Sequence, residues 1–189
     1  MIEVEVRGKM SEEQYLSTKK FLDESAEHIE THDREMYLLF DYPGYHENPL
    51  IRELDIRLRN TDGNCEIMVK RKAADNNVGR HELSLALKDN TLDTAKEVLK
   101  SLGCTTGLKM HRSKDVYQYH DIEWSLVRAP KQNYYFEAEV VVEAPEDIAK
   151  AEAHAAKEAE ALGLTVFSPN ELKDYIEWLD KEVNEVVTF

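Results

Sequence analysis

Short stretches of this sequence alternate charged and apolar residues with the period of a β-strand. The first is Glu3-Val4-Glu5-Val6-Arg7, in which the carboxylates and the guanidinium share one face of a strand and the valines share the other. A half-buried strand with a solvated charged face accounts for a single stretch of this kind. Whether other strands repeat the pattern therefore decides what the chain can fold into.

The pattern recurs on five further predicted strands. Their same-face charges are Arg57 with Arg59, Lys70 with Lys72, Arg80 with Glu82, Arg112 with Lys114, and Glu137 with Glu139. Six charged faces in one small protein indicate a common polar interior. A closed barrel provides it, because its outer face packs against helices while its inner face lines a lumen. Arg71, Glu66 and Asp55 do not follow the pattern and are predicted to be surface charges.

Capping and turn signals divide the chain into strands and helices. A capping box and an apolar stripe predict a helix over 11–30, and an aromatic and aliphatic stretch predicts a strand over 36–40. The other predicted strands are 54–59, 65–72, 79–87, 110–119, 122–128 and 134–143, and the other helices are 91–102, 145–162 and one beginning at Pro169. The last helix is expected to place Ile176, Leu179, Val183 and Val186 on the sheet. With no repeat or linker, we predict one α+β domain spanning 1–189.

Charge and composition restrict the partners. The net charge of −14 argues against general affinity for nucleic acids or membrane surfaces, which are polyanions. The segment 52–88 is locally basic, however, with eight Lys/Arg against six Asp/Glu. Such a distribution suits a compact anion held in a protected site.

The two cysteines and the absence of targeting signals suggest a compartment. Cys65 and Cys104 follow no motif and are expected to be free thiols in a reducing environment. No apolar stretch approaches the ~20 residues needed to span a bilayer, and no signal peptide is apparent. A cytoplasmic location is therefore expected.

A lumen with this many charges favours a ligand. Like charges a few Å apart repel by roughly 4 kcal/mol at an effective dielectric constant of ~20. A divalent cation would offset the carboxylates and a polyphosphate would offset the basic residues. Magnesium prefers a few protein carboxylates together with substrate phosphates, which is an arrangement that these residues could build.

The ordered set of motifs resembles the CYTH domain of the triphosphate tunnel metalloenzyme family, which includes class IV adenylyl cyclases and thiamine triphosphatase. Glu3, Glu5 and Arg7 match its N-terminal Glu-x-Glu-x-Lys signature. The other matches are an Arg-rich strand at 55–59, a glycine turn and lysine-ending strand at 63–70, Arg-x-Glu at Arg80 and Glu82, a basic pair at Arg112 and Lys114, and a late Phe-x-Glu-x-Glu at 136–139. The resemblance covers nearly the whole chain.

The resemblance implies an eight-stranded antiparallel β-barrel with flanking helices, in which Mg²⁺ or Mn²⁺ and a triphosphate bind. The implied metal ligands are Glu3, Glu5, Glu137 and Glu139, and the implied catalytic residues are Glu3, Glu5, Arg7 and Glu82. The implied substrate-binding residues are Arg7, Lys9, Arg57, Arg59, Lys70, Lys72, Arg80, Arg112 and Lys114. Family members hydrolyse inorganic, thiamine or nucleoside triphosphates, or cyclise ATP.

The sequence also departs from the family pattern. Arg7 replaces the signature lysine, and Ser84 stands where many members have a second glutamate. The family aspartate expected near Ser125 is missing, although Asp121 or Glu123 could compensate. These departures bear on how metal and substrate are held.

The leading hypothesis is a metal-dependent triphosphatase acting on a small-molecule triphosphate, with no nucleic acid or membrane partner. The alternatives are a class IV adenylyl cyclase that makes cyclic AMP and pyrophosphate, and a non-catalytic polyphosphate- or nucleotide-binding module. His28 and His32, four residues apart on the predicted helix, are expected to be surface histidines. The sequence leaves open the organic group, the preferred metal and the oligomeric state, with a homodimer among the options.

Overall fold

The computed structural model of the chain describes residues 2–48, 51–73, 79–88 and 91–189. The strands are β1 (Ile2–Met10), β2 (Glu27–Leu39), β3 (Leu54–Thr61), β4 (Asn64–Lys72), β5 (Gly79–Ala86), β6 (Thr106–Tyr119), β7 (Ile122–Ala129), β8 (Asn133–Val142) and β9 (Glu185–Thr188). The α-helices are α1 (Glu12–Ser25), α2 (Asp93–Ser101), α3 (Ile148–Ala161) and α4 (Pro169–Glu182). None of the described helices has the length and apolar character needed to cross a membrane.

Eight of the strands close into an antiparallel ring. The order is β2-β3-β4-β5-β1-β8-β7-β6, and pairing of β2 with β6 completes the circle. The short β9 pairs with the beginning of β6. This closed ring with helices around it confirms the predicted α+β barrel.

Alternation along the strands separates an apolar outer face from a polar inner face. On β1, Ile2 and Val4 are buried against Ile148 and Ala151, at the start of α3. A larger cluster packs α1 and α3 over β1, β6, β7 and β8, and a third cluster packs α2 over β2, β3 and β4. Because the apolar side chains point outward to the helices, the charged side chains of the same strands must point into the barrel.

A glycine in β1 lets the chain bring α4 to one end of the barrel. The amide of Phe167 donates to the carbonyl of Arg7 at 2.8 Å, so the segment before α4 lies against β1. A Cβ atom on Gly8 would stand 1.9 Å from the carbonyl oxygen of Thr165, and only glycine permits this approach. The α4 helix begins at Pro169, as predicted, and a capping box formed by Ser168 and Glu171 closes its first turn.

Two sequence-based boundaries were wrong. The predicted helix over 11–30 ends at Ser25, because β2 begins at Glu27 and pairs along its length with β6. His28 and His32 therefore lie on a strand and not on a helix. At the other end of the chain, Val186 pairs with Leu108 in β9 and is not part of the last helix. In both places long-range strand pairing determines the structure, and a local helical pattern does not reveal it.

Candidate functional site

The barrel encloses a cavity of about 350 Å³ that is lined by all eight ring strands and by α4. Among the described residues that line it are nine carboxylates: Glu3, Glu5, Glu30, Asp55, Glu82, Glu123, Glu137, Glu139 and Asp180. They face nine basic side chains: Arg7, Arg34, Arg52, Arg57, Arg59, Lys70, Arg80, Arg112 and Lys114. The lumen is thus balanced in formal charge, and the acidic excess of the chain lies outside it.

All the residues predicted to form the site line this lumen except Lys9 and Lys72. Lys9 is exposed, and its ammonium group lies 5.5 Å from the ring centroid of Trp178 and 6.0 Å from that of Tyr175. Lys72 has its ammonium group 3.7 Å from the carboxylate of the exposed Glu53. The alternation is correct for both lysines, but each lies at a strand end, where the inner face gives way to the rim.

Carboxylates crowd together at one part of the lumen. Glu139 of β8 is the direct cross-strand partner of Glu5 on one side and of Glu123 on the other. Burial, and then the charges of Glu5 and Glu3, raise the pKa of Glu139 to about 8. Glu139 has no ion pair or hydrogen bond with the residues described. This cluster is therefore the part of the lumen where a cation would be most favourable.

Glu137 differs from Glu139, although the sequence predicts the same metal-binding role for both. Arg7 approaches one of its carboxylate oxygens at 3.2 Å, and Lys114 donates to the other. Burial alone would raise the pKa of Glu137, but Lys114 and Arg7 outweigh it and hold that pKa well below its usual range. Glu5 and Glu3 also contact Arg7 and Lys70, respectively, so Glu139 is the one predicted metal ligand without an ion pair to a described residue.

A second ion-pair network connects β4, β5 and β1. Lys70 contacts Glu82, and its ammonium group lies 3.3 Å from a carboxylate oxygen of Glu3. Burial would lower the pKa of Lys70, but Glu82 and Glu5 outweigh it and raise the pKa. Lys70 therefore remains a cation inside the barrel at neutral pH.

Asp55 and Glu66 were wrongly predicted to be surface charges. Asp55 lines the lumen and accepts hydrogen bonds from Arg52 at 3.0 Å and Arg57 at 2.9 Å. Burial would raise its pKa, but Arg57 and Arg52 outweigh it and lower the pKa. Glu66 is half-buried, with a carboxylate oxygen 2.8 Å from the Nε of Arg59. Asp55 lies two residues before Arg57 and four before Arg59, on the same face of β3. The sequence therefore already contained the signal that places Asp55 in the lumen.

Arg112 is buried without a carboxylate partner. It is only 3% exposed, and it donates to neutral oxygens: the hydroxyl of Tyr135 at 3.2 Å, the carbonyl of His111 at 2.7 Å and the amide of Asn184 at 3.0 Å. No ion pair with a described carboxylate offsets its charge. A guanidinium in this setting lacks the anion with which buried arginines usually pair.

Arg34 of β2 is the direct cross-strand partner of Arg112. Its Nε donates to the hydroxyl of Thr61 at 2.9 Å, and it likewise has no ion pair with a described carboxylate. Burial, and then the nearby Arg59, lower the pKa of Arg34. Two neighbouring arginines of the lumen thus have no direct ion pair with a described carboxylate.

Sequence reasoning missed several lumen residues. These are Glu30, His32 and Arg34 on β2, Arg52 before β3, and Asp180 on α4. On β2 the alternation of positions 30, 32 and 34 was present, but the helix predicted through position 30 concealed it. Arg52 and Asp180 lie outside strands, where alternation gives no signal.

The structure also locates the residues around the missing family aspartate. Ser125 is buried in the lumen opposite Glu137, and Glu123, two residues earlier on β7, supplies a lumen carboxylate. Asp121 instead contacts His154 at 2.8 Å on the surface. Of the two residues that could compensate for the missing aspartate, only Glu123 reaches the lumen.

The donor set of the carboxylate cluster suits a hard divalent cation. Within residues 2–48, 51–73, 79–88 and 91–189, no group of three or more His, Cys, Asp or Glu side chains has the arrangement of a formed metal centre. Glu3, Glu5 and Glu139 nevertheless offer carboxylate oxygens, which are the ligands that Mg²⁺ and Mn²⁺ prefer. Burial and the neighbouring Glu5 and Glu3 raise the pKa of Glu139, and a bound cation would favour its ionised form.

A closed antiparallel barrel with a lumen of opposed carboxylate and basic groups defines a class of charged-tunnel proteins. No protein-family model matches the sequence, and no curated protein does. Solved structures do match. A protein of Pyrococcus horikoshii superposes with a TM-score of 0.70 at 20% identity, over 93% of this chain and 98% of that one.

Two further solved structures carry functional descriptions. A "putative adenylate cyclase" from Vibrio parahaemolyticus has a TM-score of 0.65 at 14% identity, over 87% of this chain and 90% of that one. A "putative adenylyl cyclase" of Hippeastrum, described as revealing a dominant triphosphatase activity, has a TM-score of 0.55 at 16% identity, over 87% and 89%. The chain thus shares the fold of these structures, a closed antiparallel barrel with flanking helices, which agrees with the fold that the sequence resemblance implied.

Proposed function

We propose that this protein is a metal-dependent phosphohydrolase that binds a triphosphate inside its barrel. The observation that carries the proposal is the pair Arg34 and Arg112, which lie side by side on neighbouring strands of the lumen and have no direct ion pair with a described carboxylate. Buried cations without counter-charges are unfavourable. A phosphate chain supplies several anionic oxygens, and the planar fork of arginine binds them in bidentate fashion.

The other basic groups of the lumen extend this anion site. Arg57 and Arg80 line the same cavity, and Arg59 lies between Glu66 and Glu82, the latter at 4.0 Å. Together they surround an anion longer than a single phosphate. This arrangement supports a triphosphate in preference to a monophosphate.

Mg²⁺ or Mn²⁺ would be held by Glu3, Glu5 and Glu139, with Glu123 beside them. Bound there, the ion would supply Lewis acidity, offsetting the charge on phosphate oxygens and favouring a deprotonated nucleophile. The ion would also favour the ionised form of Glu139, whose pKa of about 8 otherwise keeps it mostly protonated at neutral pH.

The chain's own residues orient the phosphate and stabilise the charge that develops during transfer. Arg7 and Lys114 meet at Glu137, which fixes both cations in the lumen. Fixed cations at this position stabilise charge on the transferred phosphoryl group without further reorganisation. Burial within the barrel limits competing water and strengthens each of these interactions.

A second candidate is cyclisation of ATP to cyclic AMP and pyrophosphate. It is favoured by the description of the Vibrio parahaemolyticus structure as a putative adenylate cyclase. The triphosphate site would serve both reactions, because only the attacking group differs. In cyclisation the ribose 3′ hydroxyl replaces water.

The test is product analysis on a substrate panel. Tripolyphosphate, ATP and thiamine triphosphate are each incubated with Mg²⁺ or Mn²⁺, and phosphate, pyrophosphate and cyclic AMP are measured, with Glu5→Gln as the matched inactive variant. We expect phosphate release that depends on metal and is lost in the variant. Cyclic AMP as the main product from ATP would instead establish the cyclase. Binding of these compounds without any turnover would leave a non-catalytic binding module.

A further inference from the structure

His32 is a buried histidine of the lumen to which the proposed reaction gives no role. It lies on β2 between Glu30 and Arg34, is 5% exposed, and is the direct cross-strand partner of Lys114 on β6. All three of these neighbours also line the cavity. His32 is thus placed among residues that would surround a bound phosphate chain.

The imidazole of His32 has unused hydrogen-bonding capacity. Glu30 brings a carboxylate oxygen 2.9 Å from Nδ1, but without hydrogen-bond alignment. Neither ring nitrogen has a hydrogen-bond partner among the residues described. Most buried polar atoms in native proteins are paired, so an exception of this kind calls for a functional explanation.

The charges around His32 favour its neutral form in the protein alone. Those that act on it are Arg34 and Glu30 from its own strand and Lys114 from β6. Burial lowers the pKa of His32, Arg34 and Lys114 lower it further, and Glu30 opposes them. The two cations are also those that a phosphate chain would neutralise.

We propose that His32 is a further anion-binding residue of the tunnel, and that it takes up a proton when a polyphosphate enters. This inference rests on the proposed function, since it needs a polyphosphate to bind in the lumen. Anionic oxygens beside Arg34 and Lys114 offset the charges that keep the imidazole neutral. The proton comes from solvent, and both ring nitrogens then become donors, so that one can donate to phosphate and the other to Glu30.

The expected consequence is a binding heat that depends on the buffer. Binding of tripolyphosphate to chelator-treated protein is measured by calorimetry at pH 7, in two buffers that differ in ionisation enthalpy. The slope against that enthalpy gives the number of protons taken up. We compare the wild type with His32→Gln, and with His111→Gln as the control, since His111 is an exposed histidine of β6.

The wild type and His111→Gln are expected to take up more protons per bound tripolyphosphate than His32→Gln, by as much as one. Equal uptake by all three proteins would overturn the role of His32 while leaving polyphosphate binding intact. If tripolyphosphate binds to none of them, the proposed function fails as well.

A second measurement uses the wild type alone, so its result does not depend on the folding of a variant. Histidine ring signals of the wild type are followed by NMR as pH is varied, with and without tripolyphosphate. The signal of a buried histidine should titrate at higher pH when tripolyphosphate is bound, and the exposed histidines should shift little. If no buried histidine signal shifts in saturating tripolyphosphate, the inference is wrong.

Discussion

Glu5 of β1 and Glu139 of β8 are direct cross-strand partners inside the barrel, so two carboxylates lie side by side on neighbouring strands. Like charges in directly opposite positions destabilise a sheet. Arg7 contacts Glu5, whereas Glu139 has no ion pair with any described residue. The barrel therefore disfavours the ionised form of Glu139, which is the expected behaviour of a site that is completed by a cation.

The first prediction concerns the pH dependence of stability in the presence of a chelator. The pKa of Glu139 is about 8 in the folded chain against 4.5 for an ordinary glutamate, so the folded state holds this proton more tightly. The free energy of unfolding therefore falls as pH rises from about 4.5 to about 8. In Glu139→Gln it should fall by about 2 kcal/mol less, allowing for solvent screening of a partly exposed group.

Chemical denaturation in EDTA between pH 5 and pH 9 measures this difference. Glu160→Gln is the control, because Glu160 is an exposed residue of α3. Parallel pH profiles for the wild type and Glu139→Gln would contradict the assignment of a raised pKa to Glu139.

The second prediction separates two basic residues of β1. Arg7→Met removes the guanidinium that contacts Glu5 and Glu137, and phosphate release should fall about 100-fold. Lys9→Met removes the same charge from the exposed rim and should leave turnover near that of the wild type. Initial rates with tripolyphosphate and Mg²⁺ or Mn²⁺ measure both, with circular dichroism to confirm folding.

Arg7→Lys then tests the departure from the family signature. Lysine restores the charge but cannot contact two carboxylates with a planar fork, so an intermediate rate is expected. Equal rates for Arg7→Met and Lys9→Met would show that position in the lumen does not determine the role of these residues.

The sequence predicts the barrel well because alternation reports directly on which face of a strand is buried. Glu3, Arg57 and Lys114 were each placed in the lumen from spacing alone, and the structure has them there. The sequence predicts only 36–40 as a strand in this region, because the helical pattern extends to position 30, whereas β2 spans Glu27–Leu39. Its strand conformation depends on pairing with β6, about 80 residues away in sequence, which local patterns cannot reveal.

The third prediction concerns Asp55, which accepts hydrogen bonds from both Arg52 and Arg57. Asp55→Asn weakens the charge-assisted hydrogen bond that orients Arg57 in the lumen, together with the one from Arg52. The KM for tripolyphosphate should rise about tenfold with a smaller change in kcat, since about 1.4 kcal/mol of binding free energy corresponds to tenfold. Steady-state kinetics measure the two constants separately.

Glu53→Gln serves as the control for Asp55→Asn. Glu53 is two residues earlier and its side chain is 72% exposed, so its substitution should change KM little. A lower KM in Asp55→Asn would mean that Asp55 competes with the phosphate for Arg57 and does not orient it.

The fourth prediction tests the approach of the 162–167 segment to β1. Gly8→Ala places a methyl group against the Thr165 carbonyl oxygen and the Phe136 ring, and should lower the free energy of unfolding by about 1–3 kcal/mol. Gly44→Ala is the comparison, because no described atom beyond its chain neighbours lies within 4 Å of its Cβ position, although its φ of +89° disfavours alanine. In thermal unfolding, the Tm of Gly8→Ala should be lower than that of Gly44→Ala. The reverse order would contradict the close packing of Gly8 against Thr165.

The details of the site were less predictable than its location. Glu137 and Glu139 are equivalent in the sequence pattern, yet one contacts Arg7 and Lys114 while the other faces carboxylates. That difference depends on which side chains of three other strands stand opposite them. Periodicity determines the face on which a side chain lies, but the identity of its neighbours requires the strand register.

The charge balance of the lumen also has a kinetic consequence. Among the residues described, nine carboxylates and nine basic groups line the lumen, while the chain as a whole carries −14, so the long-range field around the molecule repels a polyanion. Added salt shortens the reach of that field, to about 10 Å at 0.1 M. Capture of tripolyphosphate should therefore become faster as salt is first added, which is the reverse of electrostatic steering. Selectivity then comes from short-range contact within the barrel and not from attraction at a distance.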